Sequence, residues 1–136
     1  HDEGVALEIR ATVQAAPRAL GSVGIAIGHP VGRLVGYPTP VGLGTAFLLG
    51  TRGRTDIGFI DRSGTVHPQN VVEKGITDGV EARLRLLARR GMCELYRDDE
   101  LVQCWSLPAM PTGELYLVFE GGSAAFRGVR AWRMSP

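Results

Sequence analysis

The chain has 136 residues, with 15 Lys and Arg against 14 Asp and Glu and a formal net charge of +1, and 44% of it is hydrophobic. This length and composition predict one compact domain, residues 1–136, with enough apolar surface to bury a core. The small net charge gives no electrostatic argument for nucleic acid or a charged membrane surface as a partner. No apolar run approaches the roughly 20 residues of a membrane-spanning helix. We therefore expect neither nucleic acid nor membrane as a partner.

Nineteen Gly and eight Pro separate short apolar stretches, a pattern typical of many strands joined by turns. The first stretch, residues 5–13, alternates apolar and polar side chains and predicts a half-buried strand. Further strands are predicted over residues 23–27, 45–50 and 55–61. Residues 28–44 carry Gly or Pro at almost every second position, which predicts a long shaped loop. Residues 65–79 show no clean period and are interpreted mostly as loop.

Residues 80–90, with the sequence VEARLRLLARR, fit two patterns. A helix would begin after a cap at Asp78 and end at Gly91. A strand would place apolar side chains at every second position, with Leu87 as the exception. The segments that follow have strand lengths separated by turns, so we interpret residues 80–89 as a strand in a sandwich whose two sheets cover one another. The remaining strands are predicted over residues 92–97, 100–107, 115–119 and 125–134.

Two hairpins follow from this interpretation, with two-residue tips at Arg90-Gly91 and Asp98-Asp99. The second tip would place Glu94 opposite Gln103 and Cys93 opposite Cys104. A consistent register then puts the following side chains on the core face: Leu84, Leu86, Ala88, Cys93, Leu95, Val102 and Cys104. The opposite face would carry Arg83, Arg85, Leu87, Glu94, Tyr96, Gln103 and Trp105.

That opposite face combines aromatic rings with side chains that form paired hydrogen bonds. Rings can contact the C–H face of a sugar, and guanidinium, carboxylate and amide groups can bind vicinal hydroxyls. The candidate ligand-binding residues are Arg83, Arg85, Glu94, Tyr96, Gln103 and Trp105. The alternative, which stays open at this point, is an ordinary solvated face with Arg–Glu pairs or a face packed against another domain.

Cys93 and Cys104 fit two interpretations. Directly opposed positions can satisfy the geometry of a cross-strand disulfide, and two buried thiols acting as small apolar groups fit equally well. The three His residues lack metal-ligand spacing, and no catalytic motif is present. We therefore expect no enzyme activity and no cofactor, while a structural calcium ion is neither indicated nor excluded.

The C-terminal segment reads ARLRLLARRGMCELYRDDELVQCWSLP and then GELYLVFEGGSAAFRGVRAWRM. It resembles the C-terminal β-sandwich of glycoside hydrolase family 32 enzymes, and family 66 carbohydrate-binding modules have a similar sandwich. The likeness extends more loosely to residues 5–13 and 57–64. It implies an all-β fold, a two-sheet antiparallel β-sandwich of the jelly-roll, concanavalin-like type. The catalytic propeller of those hydrolases cannot fit in a chain of this length.

The resemblance and the mixed face together predict a non-catalytic carbohydrate-binding module. It would recognise a terminal sugar of a polysaccharide such as a fructan, through Glu94, Gln103 and Arg85 with Tyr96 or Trp105 as apolar platform. Its expected context is a secreted, extracellular bacterial glycoside hydrolase whose catalytic domain is its partner. The alternative is a structural sandwich that braces a catalytic propeller or mediates dimerisation and binds no ligand. If substitution of Tyr96 and of Trp105 left sugar binding unchanged, the next candidate binding site would be the 28–44 loop around Tyr37.

Overall fold

The computed structural model describes residues 4–28, 44–61, 65–107 and 115–134, which contain ten β-strands. The strands are β1 (Gly4–Ala15), β2 (Ser22–Gly28), β3 (Gly44–Gly50), β4 (Thr55–Ile60), β5 (Val66–Val72), β6 (Ala82–Arg89), β7 (Met92–Arg97), β8 (Glu100–Ser106), β9 (Leu115–Glu120) and β10 (Gly122–Met134). These described residues contain no helix. The strand interpretation of residues 80–89 is therefore confirmed by β6.

The strands form two five-stranded antiparallel sheets, which is the predicted all-β sandwich of jelly-roll type. The first sheet has the order β10-β1-β6-β7-β8, and the second has the order β5-β4-β3-β2-β9. Sequence neighbours β6, β7 and β8 pair as consecutive hairpins, whereas β1 pairs with both β6 and β10 from far along the chain. The first sheet thus depends on both local turns and long-range pairing.

The main core lies between the two sheets and follows the period-2 pattern of the strands. In β1 the side chains of Leu7, Ile9, Ala11 and Val13 point inward, while Arg10 is exposed. The largest fully buried side chains come from both sheets: Phe47, Ile9, Ile25, Leu49, Ile57, Leu84, Leu86 and Leu95. Each such side chain stabilises the fold by roughly 1.5–3 kcal/mol.

Both predicted hairpin tips are present and use left-handed backbone. The φ angles are 52° at Arg90, 78° at Gly91, 49° at Asp98 and 69° at Asp99. Two consecutive positive φ angles define the type I′ turn, whose twist matches that of the flanking strands. The β6–β7 register is as predicted, with Leu86 opposite Leu95 and Ala88 opposite Cys93.

The predicted β7–β8 register is wrong beyond the first two pairs. Arg97–Glu100 and Tyr96–Leu101 pair as predicted, and then the register shifts so that Leu95 lies opposite Gln103. Val102 is the extra residue of this β-bulge, and both Val102 and Gln103 are buried. A bulge reverses the facing of every later residue in its strand relative to a regular ladder.

The disulfide interpretation is also wrong, because it depended on the predicted register. Cys93 lies opposite Trp105 and is fully buried, whereas Cys104 lies opposite Glu94 and is exposed. Both cysteines are free. The alternative of two buried thiols holds for Cys93 alone, because the bulge turns Cys104 to the outer side of the sheet.

The interpretation of residues 65–79 as mostly loop is wrong for residues 66–72, which form β5, and holds for the rest of the segment. Strand β5 is an edge strand that pairs with β4 around a register shift at Ile57/Gly58. Its Pro68 lacks an N–H, which an edge strand or a bulge tolerates. This strand has an irregular burial pattern, and for that reason its sequence shows no clean period. Most of the predicted 28–44 loop, including Tyr37, lies outside the described residues.

Candidate functional site

The candidate site is the outer face of the first sheet, meaning the side chains of β10, β1, β6, β7 and β8 that point away from the core. Four of the six predicted ligand residues lie on this outer face: Arg83, Arg85, Glu94 and Tyr96. Gln103 and Trp105 do not. Gln103 is buried at 4% exposure, and Trp105 packs against the main core. The bulge at Val102 is the physical reason for both.

Tyr96 and Arg85 lie opposite each other on adjacent strands. The guanidinium carbon of Arg85 lies 5.1 Å from the centroid of the Tyr96 ring, a cation–π distance. The Tyr96 hydroxyl donates a long hydrogen bond of 3.4 Å to Oε2 of Glu94. Desolvation, and then the nearby Glu94 charge, raise the pKa of Tyr96. Tyr96 therefore remains a neutral hydroxyl donor at physiological pH.

The side chain of Arg85 has one nitrogen in an unusual environment. Its Nε is buried and has no hydrogen-bond partner in the described part of the chain, although unpaired buried polar atoms are rare in folded proteins. Its Nη2 lies 3.7 Å from Oδ1 of Asp99, which is a long distance for an ion pair. Glu94 accepts only that weak bond from Tyr96 among the described contacts. Glu94 and the terminal nitrogens of Arg85 thus retain unused hydrogen-bonding capacity next to one aromatic ring.

Arg83 is more fully engaged than Arg85. Its Nη2 forms an ion pair with Asp99, and its Nε lies 3.7 Å from Oε1 of Glu8. The backbone N–H of Arg83 donates to Oδ1 of Asp98 at 2.9 Å. These contacts fasten the β7–β8 tip to β6. Arg83 therefore holds the turn in place and has less freedom to bind a ligand than the sequence suggested.

A second aromatic ring lies on the same outer face, on strand β10. Trp132 is 38% exposed, and the guanidinium carbon of Arg130 lies 5.3 Å from the centroid of its ring. Arg130 also approaches Glu8, with Nη1 3.7 Å from Oε2. Sequence reasoning missed these three residues as site residues. The alternation in β1 marked Glu8 as outward-facing, but nothing local shows that β10 pairs with β1.

A polar pocket of about 260 Å³ adjoins this face at the β7–β8 tip, lined by Arg10, Glu81, Ala82, Arg83, Asp98 and Asp99. Glu81 is bound by Arg127 through two hydrogen bonds, one of them 2.6 Å long. This hydrogen bonding to Arg127 lowers the pKa of Glu81. The acids of the pocket are thus largely committed to structural pairs.

Within the described ranges, no three His, Cys, Asp or Glu side chains come together as metal ligands. His67 forms a pair with Asp61, with 2.6 Å between Nε2 and Oδ2, and its ring stacks on Phe59. The same part of the chain has no helix long and apolar enough to span a membrane.

No protein-family model and no curated protein sequence matches this chain. Solved structures do match. Sheep galectin-11, in a complex with glycerol, aligns with a TM-score of 0.68 at 8% identity over 95% of this chain and 89% of its own. A galectin of Caenorhabditis elegans gives 0.65 at 12% identity over 95% and 82%. The carbohydrate-binding module CBM66 of Bacillus subtilis gives 0.64 at 14% identity over 94% and 74%. These likenesses show that the chain shares the fold of those proteins.

Proposed function

We propose that this domain is a non-catalytic carbohydrate-binding module that holds a terminal sugar of a polysaccharide, such as a fructan, on the outer face of the first sheet. The observation that carries the proposal is the group formed by Tyr96, Arg85 and Glu94 on two paired strands. The fold it shares with a carbohydrate-binding module and with galectins supports the same class of function.

The geometry suits a sugar in three respects. The Tyr96 ring offers an apolar surface to the C–H side of a sugar ring. Glu94 supplies acceptors and Arg85 supplies planar donors, which together match a pair of neighbouring hydroxyls. Because all three side chains extend from strands of one sheet, their backbone is already ordered and little of its entropy is lost on binding. Gln103 and Trp105 are left out of the proposed contact set because they face the core.

The wider context belongs to the same proposal. The resemblance of residues 81–134 to the sandwich of family 32 hydrolases makes a secreted bacterial glycoside hydrolase the expected parent protein. In that setting the module would keep the catalytic domain of its parent close to the polymer. It would raise the effective concentration of substrate without taking part in bond cleavage.

A structural accessory role is the second candidate, and one observation favours it. At the β9–β10 side of the sandwich, large apolar side chains are exposed: Leu115 at 38%, Leu117 at 41%, Phe119 at 51% and Val129 at 56%. Leu115, Leu117 and Phe119 alternate along the edge strand β9 and so share one side of it. An exposed row of apolar side chains is typical of contacts with another domain or subunit. In this alternative the domain would brace a catalytic domain or mediate dimerisation through that side.

Isothermal titration calorimetry against fructan, arabinan and galactan separates the two candidates. We expect Tyr96→Ala to weaken binding by about 1–3 kcal/mol, the range for losing an aromatic anchor. Tyr116→Ala is the matched control, because Tyr116 is 38% exposed but lies on the second sheet. Absence of binding heat with folded protein would favour the accessory role. Release of reducing sugar that Glu94→Gln abolishes would contradict the non-catalytic assignment.

A further inference from the structure

We propose, on the basis of the proposed function, that the sugar-binding surface extends from Tyr96 across the first sheet to Trp132. The module then binds a run of consecutive sugar units, with a second stacking position on Trp132, rather than the terminal unit alone.

The strand register places a largely apolar row across the sheet, which ends near the carboxylate of Glu94. From β10 to β8 this row contains Trp132, Ala6, Leu87, Glu94 and Cys104, each opposite the next. Ala6 is fully buried although it lies on the outer face, and Leu87 is half-buried. Two low apolar side chains therefore form a floor between the Trp132 ring and the carboxylate of Glu94.

A polar row runs parallel to this floor, two residues further along each strand. It contains Arg130, Glu8, Arg85 and Tyr96. Arg130 has a side-chain exposure of 70%, and its charge lies over the Trp132 ring just as Arg85 lies over Tyr96. The same aromatic–guanidinium unit thus occurs twice on one face, with Glu8 between the two.

The two rings are too far apart for one sugar to contact both. Three inter-strand spacings and two residues along a strand separate Tyr96 from Trp132, which corresponds to about 16 Å between their β-carbons. A single sugar ring is much shorter than this. Trp132 can therefore contribute only when further units follow the one on Tyr96. Strand β10 is an edge strand of the first sheet, and the described residues place no further strand beyond Trp132.

The first test is the dependence of affinity on chain length. Fructo-, arabino- and galacto-oligosaccharides, from the monosaccharide to the hexasaccharide, would be titrated calorimetrically into the wild-type protein. We expect affinity to rise about tenfold or more once the chain reaches Trp132. Trp132→Ala should abolish this rise and leave the affinity for the monosaccharide unchanged. Val129→Ala serves as control, because Val129 is exposed on the same strand but outside the two rows.

The second test is spectroscopic and does not depend on a change in affinity. The chain has two Trp residues, so Trp105→Phe leaves Trp132 as the only tryptophan emitter. Long oligosaccharides should shift or quench that emission, and the monosaccharide should not. If chain length has no effect on affinity and the emission stays constant while Tyr96→Ala still weakens binding, the extended surface is wrong and the proposed function stands. If no oligosaccharide binds the folded protein, both the extended surface and the proposed sugar-binding function are wrong.

Discussion

Gln103→Leu is the sharpest test of the fold, because it reports whether the β-bulge turns this side chain into the sandwich. In the structure Nε2 of Gln103 donates to the backbone oxygen of Thr55 at 2.9 Å, and Oε1 accepts from Nδ2 of Asn70 at 2.8 Å. These bonds join β8 of the first sheet to β4 and β5 of the second. Gln103 is thus a polar link between the sheets at the edge opposite β9 and β10.

The cost of the substitution follows from its partners. Leucine has a similar volume but makes neither hydrogen bond. Thr55 is fully buried, so its carbonyl loses a partner that water cannot easily replace, whereas the half-buried Asn70 can be rehydrated in part. An unsatisfied buried group costs about 1–3 kcal/mol, and a lost hydrogen bond about 1 kcal/mol. Additional apolar burial offsets some of this, and we expect a net loss of about 2–3 kcal/mol.

Urea denaturation at neutral pH measures this loss, with Gln14→Leu as the matched control. Gln14 is an exposed glutamine in β1 of the same sheet, and its substitution should change the free energy of unfolding by no more than about 0.5 kcal/mol. In a chain of this size we expect the Tm of Gln103→Leu to fall by roughly 6–12 °C. Equal stability of the two variants would mean that Gln103 faces solvent, and the bulge would then be refuted.

Two further predictions concern thiols and pH. Burial raises the pKa of Cys93 to about 12 while Cys104 is exposed. Iodoacetamide should therefore modify one thiol per native chain in the wild type, none in native Cys104→Ser, and both wild-type thiols after unfolding. If neither thiol reacted even in the unfolded wild type without a reductant, the two cysteines would form a disulfide and the bulged register would be wrong. The hydrogen bonds from Arg127 lower the pKa of Glu81 in the folded state, so the stability they add is present above the unfolded pKa, near 4.3, and is lost as pH falls through the folded value. Glu81→Gln should accordingly be less stable than wild type at pH 6, and the difference between their urea midpoints should narrow as the pH falls below the unfolded pKa. A difference that stays constant as the pH is lowered would contradict this.

The sequence predicted the fold well where local chemistry decides the structure. Alternating side chains identified β1, and the tips at Arg90-Gly91 and Asp98-Asp99 carry residues that adopt the left-handed backbone of type I′ turns. Once both tips are accepted, β6 must be a strand, because a helix there could not pair with β7. The helix propensity of residues 80–90 was therefore overridden by the pairing of their neighbours.

The bulge could not be predicted in the same way. Two apolar residues, Leu101 and Val102, follow one another in β8, so either could be the inward one. What selects the bulged register is a set of partners for Gln103 that lie 33 and 48 residues away in sequence. Trp132 was missed for a similar reason, since only the pairing of β10 with β1 brings it opposite Ala6. Half of the sugar-binding surface proposed here thus depends on contacts between distant parts of the chain.

The difference between the two outer faces is the reason that we propose the first sheet as the ligand-binding face. On the second sheet the outward side chains of Ala26, Ala46 and Leu48 are buried in a small apolar cluster of their own. The apolar pocket of about 330 Å³ near that cluster is lined by Ile60, Val66 and residues 116–120. Apolar pockets are common ligand sites, but the hydroxyls of a sugar need polar partners in addition to the apolar contact with its C–H face. The first sheet meets that need, because it offers two aromatic rings with a guanidinium beside each and carboxylates within the same rows.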